Sequence, residues 1–73
     1  MDDAREAVIR VWCDVLGLAP ADCRPGDSFF ELGGNSLAAA DVVQEVNELA
    51  EAPLRLRTFF ERPFLETLLA AVG

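Results

Sequence analysis

Apolar residues recur along this chain at spacings of three and four, and no segment alternates convincingly at period two, so the sequence specifies helices packed on helices. Residues 3–16 form the first such segment, with Ala4, Ala7, Val8, Val11, Trp12, Val15 and Leu16 on one side and Arg5, Glu6, Arg10 and Asp14 mostly elsewhere. Asp3 and Glu6 have capping-box spacing at its start, and Gly17 is placed to stop it. Residues 36–50 form the second helix. A wheel at about 100° per residue puts Ala39, Val42, Val43, Val46, Leu49 and Ala50 on its core side, and Leu37, Ala40, Asp41, Gln44, Glu45 and Glu48 on the other. Thr58 and Glu61 repeat the capping-box spacing and predict a single-turn helix. A last helix over 64–72, with Pro63 at or near its first position, would pack Phe64, Leu65, Leu68, Leu69 and Val72. The expectation is an all-α bundle of three longer helices and one short one, forming a single domain over residues 1–73.

The connection from Leu18 to Gly34 is long for a structureless segment in so small a domain, which marks it as functional or pinned. Pro20, Pro25, Gly26 and several aspartates and serines suit it to turns, a short helical turn fits around Ala21–Arg24, and Phe29, Phe30 and Leu32 could anchor it in the core. Trp12, Phe29, Phe30, Phe59, Phe60 and Phe64 could in principle line an apolar cavity. A chain this short needs most of its aromatics as core instead.

Composition narrows the chemistry. Seventy-three residues sit near the lower size limit for a single apolar core and leave no room for a catalytic cleft. With no histidine and no lysine, a Ser-His-Asp hydrolase and lysine Schiff-base chemistry are excluded, and no residue is assigned a catalytic or metal-binding role. A net charge of −7 argues against nucleic acid and anionic membrane surfaces, and for basic protein partners or simple solubility. Asp2, Asp3, Arg5 and Glu6 stand where a signal peptide would need a basic end and an apolar run, and no stretch reaches membrane-spanning length, so the expectation is a cytoplasmic protein. Cys13 and Cys23 match neither a zinc spacing nor a disulfide-rich framework and read as free thiols. The chain reads either as a free-standing protein, with which Met1 and the compact length are compatible, or as one domain of a longer one, and it is expected to be monomeric.

The most distinctive run is Asp27-Ser28-Phe29-Phe30-Glu31-Leu32-Gly33-Gly34-Asn35-Ser36-Leu37. Gly33 and Gly34 allow a tight turn and close approach of another protein, and Asn35 and Ser36 are residue types that start helices. Ser36 reads in two compatible ways: as an N-cap, or as a surface hydroxyl beside the positive end of a helix dipole, where a phosphate is electrostatically favoured. Asp41, Glu45 and Glu48 align on the second helix with no basic residue there to offset them, either as a solvated face or as a stripe that steers basic partners. Leu37 lies on the polar side of the wheel, where an apolar residue has no core to join.

This run, with Leu56-Arg57-Thr58-Phe59-Phe60-Glu61-Arg62-Pro63 towards the end, closely resembles the phosphopantetheine-dependent carrier proteins, in particular the peptidyl carrier proteins of nonribosomal peptide synthetases. The resemblance covers nearly the whole chain. Asn35 ahead of the serine, where carriers of fatty-acid and polyketide synthesis usually have aspartate, leans towards the peptidyl type. Phe64 departs from the family, which often has threonine after this proline, and so removes an expected cap from the last helix.

The resemblance implies a bundle of the acyl-carrier type and covalent 4′-phosphopantetheine on Ser36, with Gly33, Gly34 and Asn35 as its motif context. It implies a phosphopantetheinyl transferase using coenzyme A and Mg²⁺, an adenylating enzyme that loads the cargo, and condensation, tailoring or release enzymes. It also implies partner contact at Leu37, and Ala40, Asp41, Gln44, Glu45 and Glu48 complete the expected docking face. The chain would be a carrier acted on by other enzymes, not a catalyst. The alternatives are an acyl carrier of polyketide, fatty-acid or cell-wall acyl transfer and a noncovalent helical docking domain.

Overall fold

In the computed structural model, which describes residues 3–50 and 52–72, the helices are α1 (Asp3–Leu16), α2 (Ser36–Asn47), α3 (Leu56–Glu61) and α4 (Leu65–Val72), with a 3-10 turn at Pro20–Asp22. No strand forms among these residues, and the only extended pairing is an isolated bridge between Ser28 and Phe64. The core draws on every α-helix and on the long loop. Val8, Trp12 and Cys13 of α1, Ala39, Val42, Val43 and Val46 of α2, Phe59 of α3, and Leu65, Leu68 and Leu69 of α4 close around Phe29.

The α1 boundaries agree with the pattern, and Gly17 ends the helix at φ +70° while the Leu18 N–H donates to the Cys13 carbonyl at 2.9 Å. That is the bond by which a left-handed glycine closes a helix terminus. The capping box proposed for Asp3 and Glu6 rests on the Asp3 side chain, which lies outside the described residues.

The long loop is pinned by its backbone as much as by its side chains. A turn over Arg24–Asp27 has Pro25 in its second position and is held by Asp27 N–H to the Arg24 carbonyl (3.0 Å) and Arg24 N–H to Asp27 Oδ2 (2.9 Å). Its carbonyls then serve α4: Leu65 N–H donates to Asp27 O at 3.3 Å and Glu66 N–H to Pro25 O at 2.8 Å. Phe29 N–H donates to Pro63 O at 2.7 Å. The first turn of α4 therefore obtains from the loop the acceptors that a capping side chain at Phe64 would have supplied, and the helix begins at Leu65, one residue later than the sequence predicts.

Several sequence expectations need correction. The second helix ends at Asn47, not at residue 50; Glu48 caps it and Leu49 N–H turns back to the Val46 carbonyl at 2.9 Å. The chain leaves the helical path there, so the wheel misplaces Leu49, which is 40% exposed, and Ala50 is only half-buried. Thr58 caps nothing: α3 starts two residues earlier behind an extended Arg55, and Glu61 pairs with Arg57 at 3.6 Å. The short turn anticipated at Ala21–Arg24 lies at Pro20–Asp22, because Pro20 suits the opening position. Of the six aromatics assigned to the core, Trp12, Phe29 and Phe59 are buried and Phe64 is half-buried, but Phe30 and Phe60 are exposed and stack on each other at 6.0 Å. Of the proposed loop anchors, Phe29 is buried and Leu32 packs against the core.

Phe29 makes edge-on contacts with Trp12 at 5.4 Å and Phe59 at 5.6 Å. Such pairs add about 0.5–1.5 kcal/mol each beyond the area they bury. Trp12 Nε1 is buried without a hydrogen-bond partner among the described residues, which costs about 1–3 kcal/mol that this packing must offset. Cys13 and Cys23 are free; the Cys13 thiol is pushed up to about 12, first by burial and then by the neighbouring Cys23, Asp14 and Asp22.

Asn47 was not singled out by the sequence and closes the α2–α3 connection. Its Nδ2 donates to the Leu54 carbonyl at 2.8 Å and its Oδ1 accepts from the Leu54 N–H at 2.7 Å. One carboxamide thus satisfies both backbone groups of Leu54 and holds the segment leading into α3.

Candidate functional site

Residues 28–34 wind tightly ahead of α2. The Leu32 N–H donates to Ser28 O (3.1 Å), Gly33 N–H to Phe30 O (3.2 Å) and Gly34 N–H to Phe29 O (3.0 Å). Gly33 takes φ +101°, a conformation that side-chain-bearing residues rarely adopt. Gly34 is required for a different reason: a Cβ there would press on Cε2 and Cδ2 of the Phe29 ring and lie 2.8 Å from its Cζ. The two glycines let the chain turn over a buried ring and enter α2 directly above it.

Asn35 is the residue that caps α2. Its Oδ1 accepts from the Ala38 N–H at 2.8 Å, and its own carbonyl accepts the first helical bond, from Ala39, at 2.9 Å. Ser36 is therefore the first helical residue, not the cap, and its side chain is exposed. With Asn35 serving Ala38, the N–H groups of Ser36 and Leu37 remain at the open helix end. No acidic residue occupies the first turn of this twelve-residue helix. A phosphodiester on Ser36 Oγ would sit at the positive end of the helix dipole with no neighbouring carboxylate in that turn to repel it, so the residues present fit the group. Ser28 contrasts with it: half-buried, its carbonyl bonded to Leu32 and its backbone in the bridge to Phe64.

Leu37 is 76% exposed beside Ser36, the most exposed of the large apolar side chains among the described residues. Asp41, Gln44, Glu45 and Glu48 are all exposed along α2, and Ala40 is half-buried. Together with Val15 from the end of α1, the four polar residues line a shallow groove of about 380 Å³. Val15, which the α1 pattern assigns only to the core side, thus supplies an apolar wall to the acidic stripe. The exposed Phe30–Phe60 stack also went unmarked in the sequence, since nothing in a helical pattern separates a surface aromatic pair from core.

The small helical bundle thus holds the Ser36 hydroxyl outward at the start of α2, with Gly34 packed on the core behind it. The chain belongs to the phosphopantetheine attachment site family, which matches residues 6–72 and whose members hold 4′-phosphopantetheine covalently. It is 39% identical over 75 residues to part of phosphinothricin tripeptide synthetase PhsC of Streptomyces viridochromogenes, a match that covers 100% of this chain. It is 31% identical over 70 residues to part of tyrocidine synthase 2 of Brevibacillus parabrevis, covering 96% of the chain. L-2-aminoadipate reductase of Saccharomyces cerevisiae is 32% identical over 62 residues, covering 85%. The matched regions make up only 6%, 2% and 4% of those proteins' own lengths. No described helix is long and apolar enough to cross a membrane.

Proposed function

We propose that residues 1–73 act as one carrier domain of nonribosomal peptide-type biosynthesis, with Ser36 as the attachment point. The observation that supports this most is the exposed Ser36 hydroxyl at the open end of α2, behind a glycine pair fitted to Phe29, in a chain of this family. Ser36 Oγ would bond to the phosphorus of the pantetheine-bearing phosphate of coenzyme A as the pyrophosphate P–O bond breaks. Adenosine 3′,5′-bisphosphate leaves, the serine proton passes to a base of the transferase, and Mg²⁺ comes with that enzyme. When bound, the arm supplies a terminal thiol that holds an aminoacyl, peptidyl or other acyl cargo as a thioester. The chain itself exposes the serine, holds the helix start rigid through Asn35 and Phe29, and offers a surface to successive partners; it performs no catalysis.

The partners in this reading are a phosphopantetheinyl transferase, an adenylating enzyme and the condensation, tailoring or release enzymes that follow, all met in the cytoplasm by a monomeric domain. Leu37, Ala40, Asp41, Gln44, Glu45 and Glu48 form the docking face. Its charge speeds encounter with basic enzymes, while successive visits require each complex to stay weak.

The likeness to synthetase regions supports a peptidyl or aminoacyl cargo, and an acyl carrier of polyketide, fatty-acid or cell-wall acyl transfer is the second reading. Loading of the modified chain by adenylating enzymes with radiolabelled amino acids separates the two. Hydroxylamine-labile label on wild type supports the peptidyl reading, while loading only by acyl-transferring enzymes contradicts it. The Asp41→Asn, Glu45→Gln, Glu48→Gln variant should load more slowly and with a flatter salt dependence. Unchanged kinetics would reduce the stripe to a solvated face.

A further inference from the structure

Three of the six arginines of this acidic chain fall between residues 55 and 62, and two of them face an open cleft of about 710 Å³ between α4 and the segment that leads through α3. Arg55 and Arg62 lie at the two ends of α3, seven positions apart and so about 10 Å along its axis. Leu54, Ala70 and Ala71 supply apolar surface in the cleft, and among the described residues Glu66 is its one carboxylate. Among the described residues the only ion pair is Arg57 with Glu61, so both cleft arginines are exposed without a partner. The Leu54 wall is held in place by the two Asn47 bonds. No residue of α2 lines the cleft, which is thus separate from Ser36 and the acidic stripe.

We infer that this cleft is a docking site for an extended acidic segment of a partner protein, one that carries two carboxylates flanking an apolar residue. Charge complementarity selects the occupant: a cationic pair over apolar surface repels basic segments and matches carboxylates, the reverse of the α2 face. In an extended chain residues four apart point to the same side, about 13 Å from each other, with the residue between them on that side as well. Arginine side chains rooted about 10 Å apart can reach both carboxylates of such a Glu-x-Leu-x-Glu segment while the leucine covers Ala70 and Ala71. The Leu54 N–H and carbonyl are already engaged by Asn47, so recognition falls to side chains and not to added strand pairing.

The test is a nuclear magnetic resonance titration of the ¹⁵N-labelled full chain with acetyl-Glu-Ser-Leu-Ser-Glu-amide. The control peptides replace both glutamates by glutamine, or the leucine by serine. Shifts should concentrate at Thr58, Arg62, Thr67 and Ala70, leave α2 unchanged, and weaken with salt. The Arg55→Glu, Arg62→Glu variant, whose changes are on exposed positions and whose fold is checked by circular dichroism, should bind about tenfold more weakly, a change of about 1.4 kcal/mol. Equal shifts with the glutamine peptide or with sodium acetate at matched carboxylate concentration would overturn the proposal, as would full binding by the charge-reversed variant. An absence of shifts in this region at millimolar peptide would overturn it equally.

Discussion

Replacing Gly34 with alanine tests how the serine is held outward, because the added methyl has one place to go. It would press on Cε2 and Cδ2 of Phe29 and stand 2.8 Å from Cζ. That ring has no exposed surface and is packed between Trp12 and Phe59, with centroids 5.4 and 5.6 Å away. Gly34 does not adopt a positive φ, so the cost is steric and not conformational. Overpacking of a filled core costs about 1–3 kcal/mol. A domain of this size has roughly 3–5 kcal/mol in total. A loss of about 2 kcal/mol lowers Tm by roughly 8–16 °C. Denaturant melts of Gly34→Ala, Phe29→Leu and the double variant give the decisive cycle. The smaller, flexible leucine makes room for the methyl, so the double variant should be more stable than the sum of the single losses by about 1 kcal/mol or more. A Gly34→Ala protein within about 0.5 kcal/mol of wild type, or strict additivity, would refute the account of the turn.

Leu68→Ala should cost about 2–5 kcal/mol, because Leu68 has no exposed surface, whereas Leu49→Ala, at a residue 40% exposed, should cost far less; denaturant melts rank them. Asn47→Ala strands both backbone groups of Leu54 in a part-buried position and should cost about 1–3 kcal/mol, with faster amide exchange at Leu54 as the local readout. Cys13 keeps its proton in the folded chain up to about 12, against 9.0 for an ordinary thiol, so the unfolded chain binds fewer protons between those values. Stability should therefore fall as pH rises from about 9 towards 12, more steeply in wild type than in Cys13→Ala. Equal slopes in denaturant melts would contradict the burial of that thiol.

The sequence was most informative where one physical rule acts alone. The α1 limits follow from an uninterrupted apolar stripe ended by Gly17, and the exposure of Leu37 follows from its place on the wheel. Gly33 was legible for the same reason, since its φ of +101° is a local backbone requirement, whereas Gly34 answers to the buried Phe29 ring and the cap of α2 is Asn35, not Ser36. The failures lie where tertiary contacts replace local ones. The wheel assumed a helix to residue 50, but the chain turns at Glu48, and Leu49 left the core with it. Thr58 and Glu61 have the spacing of a cap, yet Arg57 claims Glu61 and the helix starts before Thr58. The start of α4 could not be read at Phe64, since its acceptors come from Pro25 and Asp27, nearly forty residues away in sequence. Asn47 carries no pattern at all; its role exists only once Leu54 has folded back against it.

The central claim, that this fold exists to present Ser36, is tested most directly by intact-protein mass spectrometry after incubation with coenzyme A, Mg²⁺ and a broad-specificity phosphopantetheinyl transferase. Wild type and Ser28→Ala should each gain one phosphopantetheinyl group per chain, and Ser36→Ala should gain none while melting like wild type, since its hydroxyl caps nothing. Modification that survives in Ser36→Ala, or a wild-type chain left unmodified by every transferase tried, would contradict the account.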